Sequence, residues 1–125
     1  MKCLVVDDST TMRRIVVNAL KTIGVAEIVE AGDGKDALQL CDASIDLVVT
    51  DWNMPVMGGL DLVRHLRAGT ATAKLPILMV TTRGNREDIV QAAEAGVNGY
   101  ILKPFTPATL KEKIDQVLSA ASGSR

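Results

Sequence analysis

Aromatic side chains are almost missing from this chain: Trp52, Tyr100 and Phe105 are the only three among 125 residues. A core of ordinary density must then be filled by Val, Leu, Ile, Met and Ala. Cysteine is equally scarce. Cys3 and Cys41 lie in separate apolar segments, which is the placement of buried thiols in a reducing compartment and not of a disulfide framework. A cytoplasmic location is therefore expected. Long apolar runs are also absent. The opening run from Lys2 to Asp7 is too short for a signal peptide, and no stretch approaches the ~20 residues of a membrane span. Nor is there an excess of one charge: 14 Lys and Arg against 15 Asp and Glu give a formal net charge of -1. No global field recruits nucleic acid or an anionic membrane, and neither is expected as a partner.

What is present is regular alternation. The length suits one domain. Residues 2–7, 27–31, 46–50, 75–81 and 99–102 read as strands. Most lack polar alternation, as in a parallel sheet covered on both faces. Between them lie helical patterns. Met12, Ile15, Val16, Ala19, Leu20 and Ile23 recur at helical spacing and Gly24 stops them. Asp33 caps a second helix through Cys41, and Leu60, Val63 and Leu66 mark a third that ends near Gly69. Asn85 caps a fourth that Gly96 stops, and Thr106-Pro107 opens a fifth with the stripe Leu110, Ile114, Val117 and Leu118. There is no internal repeat.

Strand and helix in alternation make an α/β protein with a parallel sheet, whose right-handed crossovers bring every strand's carboxyl end to one edge. That edge is where ligands bind. The first strand ends in Asp7 and Asp8, the third in Asp51, the fourth in Thr81, and the fifth reaches Lys103. Taken singly, each has an ordinary explanation: Asp8 as a helix cap, Thr81 as a turn residue, Lys103 as a solvated lysine, Tyr100 as a core aromatic. Asp7 beside Asp8 is harder to dismiss, because adjacent carboxylates repel unless a cation neutralises them. Taken together, the edge suits a hard divalent cation with few protein ligands. Mg²⁺ prefers one or two carboxylates along with phosphate oxygens, which points to phosphoryl chemistry. Asp51 can then attack phosphorus, with Mg²⁺ and Lys103 stabilising charge on the transferred oxygens.

Five blocks carry a resemblance: Leu4-Val5-Val6-Asp7-Asp8, Thr11-Met12-Arg13-Arg14, Asp51-Trp52-Asn53-Met54-Pro55, Leu78-Met79-Val80-Thr81, and Gly99-Tyr100-Ile101-Leu102-Lys103-Pro104-Phe105-Thr106. In this order and spacing the chain resembles the receiver domains of two-component response regulators, especially the stand-alone regulators of chemotaxis. The resemblance implies a single (βα)5 flavodoxin-like doubly wound domain over 1–121, with strand order 2-1-3-4-5. Residues 122–125 would be a disordered tail or a cloning remnant. It makes Asp51 the phosphoacceptor and assigns Asp7, Asp8, Asp51 and the backbone carbonyl of Asn53 to Mg²⁺. Thr81 becomes the switch hydroxyl, Lys103 the lysine that pairs with the phosphoryl group, and Lys103-Pro104 a cis peptide. Tyr100 becomes the aromatic whose rotamer reports the state, and Trp52 a reporter beside the site. The implied partners are a chemotaxis-type histidine kinase as phosphodonor, a phosphatase, and the flagellar motor switch protein. The last would dock a short helix on Arg86, Ile89, Tyr100, Leu102 and Lys113. A monomer that catalyses only its own phosphotransfer and dephosphorylation is expected.

Two positions depart from the pattern. Ser9 stands where the best-known member has phenylalanine, and Arg83 stands where it is acidic. Because Asn53 and Arg83 would flank the path of a hydrolytic water, the phosphoryl lifetime and recognition by the usual phosphatase are expected to differ. Two other functions fit less well. A receiver module of a transcriptional regulator would need a DNA-binding domain beyond these residues. An aspartyl-phosphate phosphatase or mutase would need a carboxylate two residues after Asp51, where Asn53 stands.

Overall fold

The computed structural model describes residues 1–123. Five strands alternate with five helices: β1 (Lys2–Val6), α1 (Thr10–Thr22), β2 (Glu27–Ala31), α2 (Gly34–Leu40), β3 (Leu47–Thr50), α3 (Gly59–Ala68), β4 (Ile77–Thr81), α4 (Arg86–Ala95), β5 (Gly99–Leu102) and α5 (Pro107–Gly123). All strand pairs are parallel and the order is β2-β1-β3-β4-β5. The expected fold class is the observed one. α5 continues past the boundary expected at 121, and of the expected tail residues 124–125 lie outside the described residues.

The unbroken apolar strands are explained by two cores, one on each face of the sheet. Because successive strand residues point to opposite faces, Cys3, Val5, Leu47, Val49, Leu78, Val80 and Ile101 pack against α1 and α5. Their neighbours Leu4, Val6, Val48, Ile77 and Met79 pack against α2, α3 and α4. Burial of the Cys3 thiol pushes its pKa up to about 11, so it behaves as a small apolar core residue. Cys41 is also unpaired and only half-buried.

Local chemistry sets most helix ends. Asp33 and Asn85 accept hydrogen bonds from Asp36 N and Asp88 N, each 2.8 Å away, and Thr106 Oγ1 accepts from Thr109 N. Ser9 caps α1, its hydroxyl accepting from Met12 N, so Asp8 is not a cap and its carboxylate is left for other work. The stripe read for α1 holds at Val16, Ala19, Leu20 and Ile23; Met12 is only half-buried and Ile15 is 45% exposed, while Val17 is buried instead. No helix of the described residues is long and apolar enough to cross a membrane.

The chain reverses its direction of progress across the sheet at β1, which lies between β2 and β3. A crevice therefore opens at the carboxyl ends of β1 and β3.

Candidate functional site

Backbone ladders extend one residue beyond the strands and fix the groups that face this crevice. Asp51 N donates to Val6 O at 3.0 Å, Asp7 N to Ala31 O at 3.2 Å, and Lys103 N to Thr81 O at 2.9 Å. The site residues are thus held by the sheet and not by loops. α3 starts hard against this edge, where a Cβ on Gly59 would collide with the Asp51 carbonyl oxygen. Only glycine allows that approach.

Asp7, Asp8 and Asp51 each offer a carboxylate oxygen, and these atoms lie within 4.8 Å of one another. Asp7 is buried, Asp51 half-buried and Asp8 exposed. Lys103 Nζ lies 3.1 Å from Asp7 Oδ2 and 3.1 Å from Asp51 Oδ2, with its side chain only 8% exposed. Burial works against the ammonium form, but the hydrogen bonds and charges of Asp7 and Asp51 outweigh it and hold the Lys103 pKa above the ordinary lysine value. The remaining acceptor sites are partly used: Asp7 Oδ1 accepts from Ser9 N at 2.9 Å and Asp51 Oδ1 from Trp52 N at 2.6 Å. Arg13 steadies the same corner, donating to Asp7 O at 2.7 Å and pairing with Glu30 at 3.0 Å.

Three carboxylates opposed by one ammonium group leave an excess of negative charge. An all-oxygen donor set of this size, open on its Asp8 side, fits a small hard dication that keeps water in its shell. The Asn53 carbonyl accepts no hydrogen bond among the described residues, so it too is available as a ligand.

Across the crevice, Thr81 is buried and its hydroxyl accepts from Arg83 N at 3.3 Å. The Tyr100 hydroxyl donates to Arg83 O at 2.6 Å. Burial, with the Asp88 charge next in weight, raises the Tyr100 pKa above its ordinary value. Lys103-Pro104 is cis. Trp52 is buried beneath the Arg83 guanidinium, which stands 4.6 Å from the ring centroid.

Among the residues read as a docking face, Ile89, Tyr100, Leu102 and Lys113 line one groove of about 420 Å³ between α4, β5 and α5. Arg86 stands on the first turn of α4 and is not among the groove's lining residues. Two residues escaped sequence reasoning. Asp88 pairs with Arg83 at 3.5 Å, and its only sequence signal was the Asn85-to-Asp88 capping interval. Arg67 reaches from α3 to Gly96 O at 2.8 Å and Asn98 Oδ1 at 2.8 Å, and nothing in the local pattern foretold it.

With this geometry in view, the chain can be set beside known proteins. Residues 3–115 match the family described as response regulator receiver domain. Chemotaxis protein CheY-3 of Vibrio cholerae serotype O1 is 55% identical over 94% of this chain and 91% of its own. Chemotaxis protein CheY of Pseudomonas aeruginosa is 50% identical over 98% of this chain and 100% of its own. Among solved structures, chemotaxis response regulator CheY4 of Vibrio cholerae superposes with a TM-score of 0.83 at 36% identity, covering 93% of this chain and 97% of that one. A CheY-like receiver domain protein from Methanospirillum hungatei gives 0.84 at 26% identity, over 99% of this chain and 98% of that one. Such proteins are signalling regulators and not metabolic enzymes. The chain, with an acidic triad and a lysine at the carboxyl edge of a 2-1-3-4-5 sheet, belongs to the response regulator receiver domain family.

Proposed function

We propose that this chain is a cytoplasmic, monomeric phosphorylation switch of the chemotaxis type. Asp51 takes a phosphoryl group from the phosphohistidine of a histidine kinase: the N–P bond of the donor breaks, a bond forms from the Asp51 carboxylate to phosphorus, and the imidazole leaves. The observation that carries this reading is the Lys103 ammonium shared between Asp7 and Asp51. It supports Asp51 as the acceptor, since it sets that carboxylate beside two further carboxylates and a group able to meet phosphoryl oxygens.

Asp7, Asp8, Asp51 and the Asn53 carbonyl would hold Mg²⁺, which when bound neutralises charge on the transferred oxygens. Lys103 Nζ moves its hydrogen bond from the Asp51 carboxylate to a phosphoryl oxygen. Thr81 has a hydroxyl hydrogen to donate to another, because in the Arg83 N contact its oxygen is the acceptor. The added charge biases a two-state element made of Thr81, Tyr100 and α4, and the output is the α4–β5–α5 groove. The chemotaxis relatives support a helix of the motor switch protein as its occupant, docking against Ile89, Tyr100, Leu102, Lys113 and the neighbouring Arg86. The chain then dephosphorylates itself by attack of water, aided by a phosphatase where one recognises it. A turnover phosphatase is disfavoured because Asn53, whose amide oxygen is held by Arg83 at 3.1 Å, occupies the place of its acid/base carboxylate.

The test is a mass measurement after incubation with phosphoramidate. A single phosphoryl adduct is expected with Mg²⁺, not with chelator, and not in Asp51→Asn. An adduct that persists in Asp51→Asn would overturn the assignment.

A further inference from the structure

Arg83 joins more of the switch than any role above requires. Its backbone N–H donates to Thr81 Oγ1 at 3.3 Å and its carbonyl accepts from the Tyr100 hydroxyl at 2.6 Å. Its side chain lies over Trp52, hydrogen-bonds Asn53 Oδ1 at 3.1 Å and pairs with Asp88 Oδ2 at 3.5 Å. Four parts of the chain meet in one residue: the segment after β3, the segment after β4, β5 through Tyr100, and the first turn of α4.

The guanidinium is not satisfied by these contacts. A guanidinium carries five N–H donors in a planar fork. Here the Asp88 contact is long, and Nε is buried with no hydrogen-bond partner among the described residues. Such a group gains from any new acceptor that comes within reach. The guanidinium already covers the residue beside Asp51 and binds the next one along, and Trp52 N itself donates to Asp51 Oδ1. A phosphoryl group on Asp51 would bring three acceptor oxygens and about one further negative charge to this neighbourhood.

We propose that Arg83 is a charge-operated clasp: in the unmodified chain it ties Asp88 on the first turn of α4 to Asn53 and Trp52, and on phosphorylation it gives up Asp88 for the phosphoryl group, releasing that end of α4. This rests on Asp51 being the phosphoacceptor. Asp88 and the phosphoryl group then compete for one cation, and competition is reciprocal. Removing Asp88 must tighten the site's hold on a phosphoryl mimic by as much as the ion pair was worth. A partly exposed pair at this long distance corresponds to roughly a two- to fivefold change in affinity.

Trp52 is the sole tryptophan and touches the clasp, so its fluorescence can follow a titration of the protein with beryllofluoride in the presence of Mg²⁺. The parent should respond. Asp88→Asn should lower the midpoint roughly two- to fivefold, and Arg83→Met should raise it. In the Arg83→Met/Asp88→Asn double variant the effect of Asp88 should vanish, a coupling that a purely structural role for Asp88 would not produce. All three variants alter side chains outside both hydrophobic cores and should stay folded by circular dichroism. If Asp88→Asn shifts the midpoint equally with and without Arg83, or not at all, the clasp is overturned while the phosphoacceptor reading stands. If the parent does not respond to beryllofluoride, both fall together.

Discussion

Helices α3 and α4 are both ten residues long, yet they are held by different forces. α3 buries Gly59, Leu60, Leu62, Val63 and Leu66, whereas α4 buries Ala92 alone and leaves Ile89 and Val90 exposed. Apolar burial is non-directional and answers to nothing but unfolding. α4 is secured chiefly at its ends, by polar contacts. Asn85 caps its start and Arg83 grips Asp88 there, while Arg67 from α3 grips the Gly96 carbonyl at its finish. Polar contacts respond to charge, so under the switch proposed above a phosphoryl group on Asp51 would change how α4 sits without disturbing α3. On one face of one sheet, the difference would give the proposed switch a rigid scaffold beside a helix free to respond.

The largest expected effect tests the apolar half of this contrast. Leu62 is fully buried, and Leu62→Ala should cost about 2–5 kcal/mol in urea denaturation. Ile89→Ala, on the exposed side of α4, should cost less than about 0.5 kcal/mol. Equal losses would mean that α4 is anchored as α3 is. Next is the carboxyl end of α4. Gly96 has φ of +112°, and a Cβ there would come 2.8 Å from Arg67 Nε. Gly96→Ala should therefore destabilise by about 1–3 kcal/mol, through backbone strain and displacement of the arginine. Arg67→Met should match it by stranding the carbonyls of Gly96, Thr72 and Ala73. If either variant melts like the parent, that clamp is not holding α4.

Smaller still is the stability effect of the amino end. Arg83→Glu removes a long, partly exposed pair and should change stability by no more than about 1 kcal/mol. It should nonetheless change the lifetime of the aspartyl phosphate, measured by loss of the mass adduct after the donor is removed. Identical lifetimes would show that Arg83 does not face the phosphoryl group. The smallest effect is spectroscopic. Tyr100 is the sole tyrosine, so phenolate absorbance reports it alone. Its raised pKa means that the fold retains the phenolic proton. The stability this brings is fully present below the unfolded value near pH 10 and is lost as pH rises through the folded one. The absorbance midpoint should lie above that of the urea-unfolded chain, and a coincident midpoint would place the ring in water.

What the sequence made legible was local or periodic. The caps at Asp33, Asn85 and Thr106 and the stop at Gly96 depend on residues within a turn of one another. The five strands announce themselves by unbroken apolar runs. Asp7, Asp8, Asp51, Thr81 and Lys103 could be brought to one edge because parallel topology alone does so. Ile15 misled, since helical spacing cannot tell a core position from a half-exposed one beside it, and Leu62 was passed over for the same reason. Ser9, and not Asp8, caps α1 because its short hydroxyl reaches Met12 N. The arginine grips on α4 were not legible at all. Arg67 meets Gly96 across 29 residues and Arg83 meets Asn53 across 30, and no local pattern encodes which distant carbonyl or amide a long arginine will find.

Amide hydrogen exchange read by mass spectrometry, with Mg²⁺ and with or without beryllofluoride, tests the central claim most directly. Exchange in the first turn of α4, from Arg86 to Ile89, should change when the phosphoryl mimic binds, while the amides of α3 keep their protection. If α3 and α4 respond alike, or if α4 does not respond in a protein whose Trp52 fluorescence shows the mimic bound, the account of a charge-operated helix beside an apolar scaffold is contradicted.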